Sequence, residues 1–286
     1  MFLLVSSTVN ERRVLVMLEA DKVFAGSIPE NYDRHMVPLI FEAYAAETAR
    51  RAASFSPTAV LETAAGTGAV TRALAPKLSP DASYNVTDLN QPMLDYAASR
   101  QGPDSRITWR QADALKLPFD DAAFDLVCCQ FGAMFFPDRA AAYREAKRVL
   151  KPGGHFLFSV WDRIEENIFA NDVTNALARI FPHDPPRFLA RTPHGYHDND
   201  LIRGELAAAG FSDVAIDTRA EQSRASSPRV PAVAYCQGTL LRNEIEAREA
   251  GSLASATDYV EAAIAERHGR GAVAAKIQAH IIVAAA

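Results

Sequence analysis

The sequence predicts an α/β fold in which a parallel β-sheet is covered by helices on both faces. Short apolar runs alternate with segments of helical periodicity between residues 57 and 161. The apolar runs are nearly continuous, which is typical of strands buried on both faces of a parallel sheet. Right-handed connections bring the carboxyl ends of such strands to one edge of the sheet, where ligands bind. A ligand site is therefore expected at this edge.

The elements of this sheet follow in chain order. The first apolar run, 59–62, leads into a glycine turn, and helical spacing begins at Val70. Asn90 is a typical helix cap after the second run, with Pro92 in the first helical turn. A later helix with an apolar face at 142–150 is predicted to end at Pro152-Gly153-Gly154. The other predicted strands are 84–88, one that begins at 107, 124–129 and 155–161.

The segments outside this sheet are expected to form a lid over its ligand edge. One or two helices are predicted in 22–52, a further helix near 198–209, and strands at 211–218 and 279–284. We therefore predict an N-terminal extension with lid helices at 1–56 and one domain at 57–286, with helical insertions at about 163–197 and 223–270. Met17 begins a segment that reads as a protein start, so residues 1–16 are expected to have no role in the fold.

Composition and charge exclude several classes of protein. Thirty basic and 35 acidic side chains give a net charge of −5, which argues against a nucleic-acid surface. The longest uncharged stretches, 126–137 and 230–241, fall short of the ~18 apolar residues that a membrane span needs. Three cysteines are too few for a disulfide framework or a metal cluster, so no metal is expected. We predict a cytoplasmic protein.

The first candidate site is the turn Glu62-Thr63-Ala64-Ala65-Gly66-Thr67-Gly68, between the first strand and its helix. Glycines let the backbone pass close to a ligand, and the start of the helix offers free N–H groups. A dinucleotide-binding turn would carry a third glycine at position 71, where this chain has Thr71. The turn therefore favours a ligand other than a nicotinamide or flavin dinucleotide.

Acidic residues follow the second and third strands. Asp88 lies about 20 residues after Gly68, where a carboxylate can accept hydrogen bonds from both hydroxyls of a ribose. Asp113, within Ala112-Asp113-Ala114, can accept a hydrogen bond from an adenine amino group while a neighbouring backbone N–H meets a ring nitrogen. The residues Cys129-Gln130-Phe131-Gly132 are expected to line the floor beside the reactive centre. Together these strand ends predict a pocket for a cofactor that carries adenosine.

The same segments resemble a known family. In chain order they are VLETAAGTG, NVTDLNQPMLDYA, WRQADALKLPF, FDLVCCQFGAMFFPD and RVLKPGG. This set is similar to class I S-adenosylmethionine-dependent methyltransferases, and especially to the ubiquinone/menaquinone-biosynthesis-like (methyltransferase type 11) group. The resemblance is strong at 57–161, thinner to 218 and vague elsewhere. It implies a doubly wound, Rossmann-like sheet of seven strands, mostly parallel with one antiparallel strand, and S-adenosyl-L-methionine as cofactor.

The resemblance also assigns roles to residues. Gly66, Thr67 and Gly68 would pack against the methionine part of the cofactor, with Glu62 as the acid at the head of the turn. Ala64 stands where the family has its first glycine, and Glu62 where aspartate is usual. The remaining implied contacts are Asp88 with the ribose, Leu89 and Met93 beside the adenine and ribose, Asp113 with Ala112 and Ala114 at the adenine, Gln130 near the methionine end, and Tyr32 from the lid.

A methyl group on a sulfonium is already activated, so the enzyme must align the acceptor with it, exclude water and, where needed, remove a proton. His197 and His194, in His194-Gly195-Tyr196-His197, are the candidate bases because two imidazoles and a phenol cluster before a helix. His155 begins a strand at the opposite edge and is expected to be structural. An apolar or aromatic acceptor pocket is predicted from Phe24, Tyr32, Phe135, Phe136 and Phe169.

The leading hypothesis is a methyltransferase that acts on oxygen or carbon of a small organic acceptor by in-line displacement. One alternative is a nucleotide-dependent oxidoreductase on a related sheet, although Thr71 and Asp113 speak against it. Another is a non-catalytic protein that binds S-adenosylmethionine, and no sequence feature separates it from an enzyme. The acceptor, the methylated atom and the oligomeric state do not follow from the sequence.

Overall fold

A computed structural model of the protein describes Glu30 and residues 32–286. The predictions for Phe24 and for residues 1–16 lie outside the described residues. The strands of this part of the chain are β1 (Ala59–Glu62), β2 (Ser83–Asp88), β3 (Ile107–Gln111), β4 (Phe124–Gln130), β5 (Leu150–Trp161), β6 (Ser212–Ala225) and β7 (Val273–Ala285). Within the described residues they form one seven-stranded sheet in the order β3-β2-β1-β4-β5-β7-β6.

Strand directions agree with the predicted fold. β1 is parallel to β2 and β4, and the parallel ladder continues to β3 on one side and β5 on the other. β7 runs antiparallel to both of its neighbours, β5 and β6. The prediction of a doubly wound, mostly parallel sheet with one antiparallel strand is therefore confirmed. The strand order reverses between β1 and β4, which is the point where such sheets bind ligands.

Helices cover the sheet and extend beyond it. Those of the sheet domain are α3 (Ala69–Leu74), α4 (Gln91–Gln101), α5 (Arg139–Val149) and α8 (Asn199–Ala208). The others are the π-helical segment α1 (Tyr32–Phe41), α2 (Glu42–Ser54), α6 (Ile168–Ile180), α7 (Phe188–Arg191), α9 (Arg229–Gln237), α10 (Leu241–Arg248) and α11 (Leu253–His268). α9 contacts α1, α6 and α11, so segments that are distant in the chain pack on one another. No helix in the described ranges is long and apolar enough to cross a membrane.

Three element boundaries differ from the sequence prediction. The chain enters β5 at Leu150, so Pro152-Gly153-Gly154 lies inside the strand and does not end the preceding helix. β6 continues beyond residue 218 to Ala225, and β7 begins at Val273, before the predicted 279. In this extension β6 is polar and pairs only with β7, so it lacks the continuous apolar run that marks a buried strand. His155 stacks on Phe55 with ring centroids 4.1 Å apart, at the edge opposite the ligand site.

Candidate functional site

A cavity opens at the carboxyl ends of β1, β2 and β4 and is closed on one side by α1. Twelve of the 13 residues predicted to bind the cofactor line this cavity: Tyr32, Glu62, Ala64, Gly66, Thr67, Asp88, Leu89, Met93, Ala112, Asp113, Ala114 and Gln130. Gly68 is not among the lining residues. A Cβ atom on Gly68 would lie 3.0 Å from the Cβ of Ala97, so this glycine lets the turn pack closely on α4. The structure thus brings together residues from five separate segments of the chain.

The glycine turn owes its shape to three residues in the left-handed region. Ala64, Gly66 and Gly68 have φ angles of 52°, 57° and 80°. Ala64 therefore keeps the backbone conformation for which glycine is favoured, although its own side chain makes that conformation costly. Its methyl group occupies space beside Gly132, where an added Cβ would come within 2.5 Å of it. The absent side chain of Gly132 makes room for the methyl group of Ala64.

Asp88 is fixed at the end of β2 by backbone donors. Its Oδ2 accepts a hydrogen bond from the N–H of Gly66 at 2.8 Å, and its Oδ1 accepts one from the N–H of Asn90 at 2.8 Å. Burial raises the pKa of Asp88, and these hydrogen bonds oppose the shift. A carboxylate oxygen has more than one acceptor position, so Asp88 can still accept hydrogen bonds from a ligand's hydroxyls.

Glu62 lies beneath the turn and is almost fully buried. Its Oε2 accepts hydrogen bonds from the hydroxyl of Thr71, at 2.7 Å, and from the hydroxyl of Tyr84. Burial raises the pKa of Glu62 to about 7, although both hydrogen bonds lower it in part. The Thr71 hydroxyl thus has a structural use at the position where a dinucleotide-binding turn would carry glycine.

The segment after β3 completes the side of the cavity next to Asp88. The N–H of Ala112 donates to the carbonyl of Asp88 at 3.0 Å, which fixes this segment against the end of β2. The exposed Asp113 accepts a hydrogen bond from the N–H of Leu115 at its Oδ1. Leu89 is 44% exposed although it is apolar, and Met93 faces the turn at Gly66. An apolar side chain that is open at a cavity mouth is a suitable wall for a flat adenine ring.

The opposite wall of the cavity is aromatic. Tyr32, Phe41, Phe131, Phe135 and Phe136 all line it. Phe131 has a φ angle of 53°, and its ring stacks on Trp161 with centroids 3.9 Å apart and planes 7° from parallel. Burial, together with the charge of Asp88, raises the pKa of the Tyr32 hydroxyl. The stacking on Trp161 therefore supports Phe131 in this wall.

Gln130, the last residue of β4, also lines the cavity. Its side-chain oxygen accepts a hydrogen bond from the hydroxyl of Thr48 on α2, at 3.0 Å. This contact leaves the amide N–H groups of Gln130 as donors for other partners. Phe41 and Thr48 carry no motif, so sequence reasoning missed them. Phe131 and Gly132 belong to the segment predicted to form the floor.

The two candidate bases lie away from the residues that line the cavity. His194 is buried, and its Nδ1 lies 2.8 Å from the carbonyl oxygen of Asp162. Burial lowers the pKa of His194 to about 4, so its imidazole is neutral near pH 7. His197 is half-buried, and its backbone hydrogen-bonds the ring of His280. Phe169, one of the predicted acceptor contacts, packs against His268 on α11 and does not line the cavity.

The residues present fit S-adenosylmethionine. Glu62, Asp88 and Asp113 give the cavity an acidic character that suits a cofactor with a sulfonium and an ammonium group. The hydroxyl oxygen of Thr67 is buried and has no hydrogen-bond partner among the described residues. A buried hydroxyl without a partner is costly, and a polar ligand group in the turn would satisfy it. The donor and acceptor set thus matches the cofactor that the resemblance implies.

Comparison with known proteins gives the same assignment. Residues 61–158 match the model of a methyltransferase domain. The ubiquinone/menaquinone biosynthesis C-methyltransferase UbiE of Caulobacter vibrioides is 31% identical over an alignment of 172 residues, and the match covers 54% of this chain and 68% of the relative. The corresponding UbiE of Saccharophagus degradans is 28% identical over an alignment of 165 residues, and the match covers 54% of this chain and 66% of the relative.

Solved structures share the fold at lower identity. The YcgJ protein of Bacillus subtilis has a TM-score of 0.53 and 17% identity, with 84% of this chain and 97% of that chain covered. A phosphoethanolamine N-methyltransferase 2 of Haemonchus contortus, in complex with S-adenosylhomocysteine, has a TM-score of 0.51 and 19% identity, with 84% and 52% covered. The [4+2]-cyclase SpnF has a TM-score of 0.54 and 20% identity, with 86% and 81% covered. The family relationship excludes the oxidoreductase alternative, and the chain belongs to the S-adenosylmethionine-dependent methyltransferases.

Proposed function

We propose that the protein transfers a methyl group from S-adenosylmethionine to carbon or oxygen of a small apolar or aromatic acceptor, by in-line displacement. The observation that carries this proposal is the aromatic wall of the cavity. Phe41, Phe131, Phe135 and Phe136 face the same space as the acidic turn and Asp88. An aromatic acceptor can pack against such a wall, which gains from apolar burial and from ring contacts.

Carbon of an electron-rich ring is the acceptor atom that the relatives favour. The similar proteins of Caulobacter and Saccharophagus are named C-methyltransferases of ubiquinone and menaquinone biosynthesis. The quinone biosynthesis in these names supports a phenol or hydroquinone as the acceptor proposed here. The aromatic wall supports the same chemical class independently.

The cofactor supplies an activated methyl group, and the residues of this chain orient the reactants around it. Asp88 would hold the ribose and Asp113 the adenine, while Gln130 and the turn at Gly66 and Thr67 would hold the methionine end. The aromatic wall would align the acceptor and exclude water from the reaction.

Proton removal by His197 remains part of the proposal. His197 is half-buried, so its side chain is partly accessible. His194 is the weaker candidate because its pKa of about 4 makes it a poor proton acceptor at neutral pH. Loss of turnover in His197→Ala, with unchanged affinity for S-adenosylhomocysteine, is the expected mark of a base.

We further propose that the segment before β1 and the insertions at 163–197 and 223–270 serve as the lid over the acceptor. The contacts of α9 with α1, α6 and α11 support this role.

The three cysteines are buried thiols without disulfide bonds, which supports a reducing, cytoplasmic location.

A non-catalytic role for the cofactor pocket is the competing proposal. One structural neighbour, SpnF, is a [4+2]-cyclase on the same fold, so the fold alone does not specify methyl transfer. Formation of S-adenosylhomocysteine from S-adenosylmethionine with a panel of phenols, hydroquinones and carboxylates would support methyl transfer. Its absence with every compound would support the non-catalytic role. NMR of the products then distinguishes methyl transfer to carbon from transfer to oxygen.

Substitution of the aromatic wall tests the acceptor site itself. We expect Phe136→Ala to raise KM for an active phenol or hydroquinone about tenfold through lost ring contact, with affinity for S-adenosylhomocysteine changed less than about twofold. Phe181→Ala is the matched control, because Phe181 is also half-buried but lies at the end of α6, outside the cavity lining. Equal KM values for the two variants would show that the aromatic wall is not part of the acceptor site.

A further inference from the structure

Arg72 on α3 connects the glycine turn to the N-terminal helical segment. Its Nη1 donates to the carbonyl oxygen of Thr67 at 2.5 Å, and its Nη2 donates to Oδ1 of Asp33 at 2.8 Å. Thr67 belongs to the turn that lines the cofactor cavity, while Asp33 belongs to α1. One guanidinium group therefore joins the glycine turn to Asp33, which lies 39 residues before Arg72 in the chain.

The Asp33 end of this contact is shielded from solvent. The side chain of Asp33 is 9% exposed, and that of Arg72 is 28% exposed. The hydroxyl of Tyr96 on α4 donates to Oδ2 of Asp33 at 3.4 Å, and Nε of Arg100 lies 3.6 Å from the same oxygen. Arg100 is 58% exposed, so its contribution is screened by water more strongly than that of Arg72.

Each end of the contact adjoins a residue that faces the cofactor. Asp33 directly follows Tyr32, which lines the cavity and lies close enough to Asp88 to be affected by its charge. At the other end, Thr67 carries the buried hydroxyl that has no partner among the described residues. A ligand that orders the turn thus acts on the same guanidinium group that contacts the start of α1 at Asp33.

We propose that Arg72 and Asp33 couple closure of α1 to cofactor binding, with Arg72 as a positioning residue for both the turn and Tyr32. Binding that orders the Thr67 carbonyl stabilises the Arg72 rotamer that meets Asp33, and the bound Asp33 holds Tyr32 over the cavity. The coupling is reciprocal, because a closed α1 raises cofactor affinity by the same factor by which the cofactor favours closure. The inference concerns the cofactor alone and is independent of the proposed acceptor.

A double-mutant cycle on S-adenosylhomocysteine affinity tests this coupling. Asp33→Asn and Arg72→Met remove one charge each with little change in size, and calorimetry gives Kd for each variant and for the pair. We expect each single substitution to weaken binding about tenfold, and the double variant to bind about as weakly as either single variant. Arg72→Lys should restore little of the S-adenosylhomocysteine affinity that Arg72→Met loses. A single ammonium group cannot span both partners as the planar guanidinium does. Arg100→Met is the matched control and should change Kd less than about twofold.

Hydrogen exchange separates this role from simple stabilisation. In the wild-type protein, saturating S-adenosylhomocysteine should slow exchange both in 32–41 and in 84–97. In Arg72→Met at saturation the slowing should persist in 84–97 and be lost in 32–41. Wild-type affinity in both single variants despite a lower Tm would overturn the proposal, as would multiplicative losses of affinity in the double variant or unchanged protection of 32–41 in Arg72→Met.

Discussion

The cofactor edge and the aromatic wall of the cavity are built in different ways. Most of the cofactor edge comes from the stretch 62–114, in which the acidic groups lie at or just after the ends of β1, β2 and β3. The wall combines Tyr32 and Phe41 from α1 with Phe131, Phe135 and Phe136 from the segment after β4. Polar groups at the ends of successive strands form a pattern that indicates a ligand site, whereas a phenylalanine in a helix is most often core. The first region can therefore be interpreted from sequence. The second was predicted only in part, since Tyr32, Phe135 and Phe136 were among the predicted residues and Phe41 was not.

Substitution of Asp88 should have the largest effect, and this effect should be on the cofactor edge. We expect Asp88→Ala to weaken binding of S-adenosylhomocysteine at least about 100-fold. The variant loses both hydrogen bonds that the ribose hydroxyls would donate to this buried carboxylate. Calorimetry measures the effect, and Asp95→Asn, an exposed aspartate on α4, is the control. Near-normal affinity in Asp88→Ala would mean that the ribose is held elsewhere.

Glu62 should make the stability of the cofactor edge depend on pH. Its pKa in the folded protein is about 7, above the ordinary value of 4.5, so the folded state holds a proton that the unfolded state has released. The free energy of unfolding therefore falls as pH rises through this window, by at most about 3 kcal/mol. Glu62→Gln should reduce the difference in the free energy of unfolding, measured with urea, between pH 5 and pH 8, because glutamine does not titrate. Its amide oxygen can still accept both hydroxyl hydrogen bonds.

The control for this measurement is Glu246→Gln, whose side chain is 40% exposed beside Arg242. It should leave the difference between the two pH values unchanged. Equal pH dependence in the wild type and in Glu62→Gln would contradict a raised pKa at Glu62.

The Ala64–Gly132 contact joins the two regions, and its expected effects are smaller. Gly132→Ala should cost about 1–3 kcal/mol in the free energy of unfolding, because the new methyl group meets Ala64 and Cys129. Ala64→Gly should stabilise by about 1 kcal/mol or less, since glycine tolerates a positive φ. The double variant should recover part of the loss, because only the closer of the two contacts is relieved.

Urea unfolding measures these changes, with Gly204→Ala on α8 as the control. A Cβ on Gly204 meets no atom within 4 Å, so this substitution should be neutral or slightly stabilising. Strict additivity of Ala64→Gly and Gly132→Ala would show that the two residues do not share one space.

The extent of sequence prediction follows the same division. The starts of β1 and β4, the glycine turn and Asp88 were predictable because apolar runs and turn chemistry are local signals. The extension of β6 was not, because Arg219, Glu221 and Arg224 pair only with β7 and need not be apolar. The contact of Arg72 with Asp33 was equally hidden, since it joins segments that only the packing of α1 brings together.

The position of β7 has a consequence for how the chain acquires its structure. β7 is hydrogen-bonded to β5 on one side and to β6 on the other, so neither strand can complete its pairing before residues 273–285 emerge. During synthesis from the ribosome, β1 to β5 and the cofactor edge can assemble first, while β5 presents an open edge beside its buried Phe156 and Phe158. Open edges of this kind invite pairing with other chains. Interrupted synthesis shortly before β7 would therefore yield a chain with most of its cofactor residues in place and a strong tendency to aggregate.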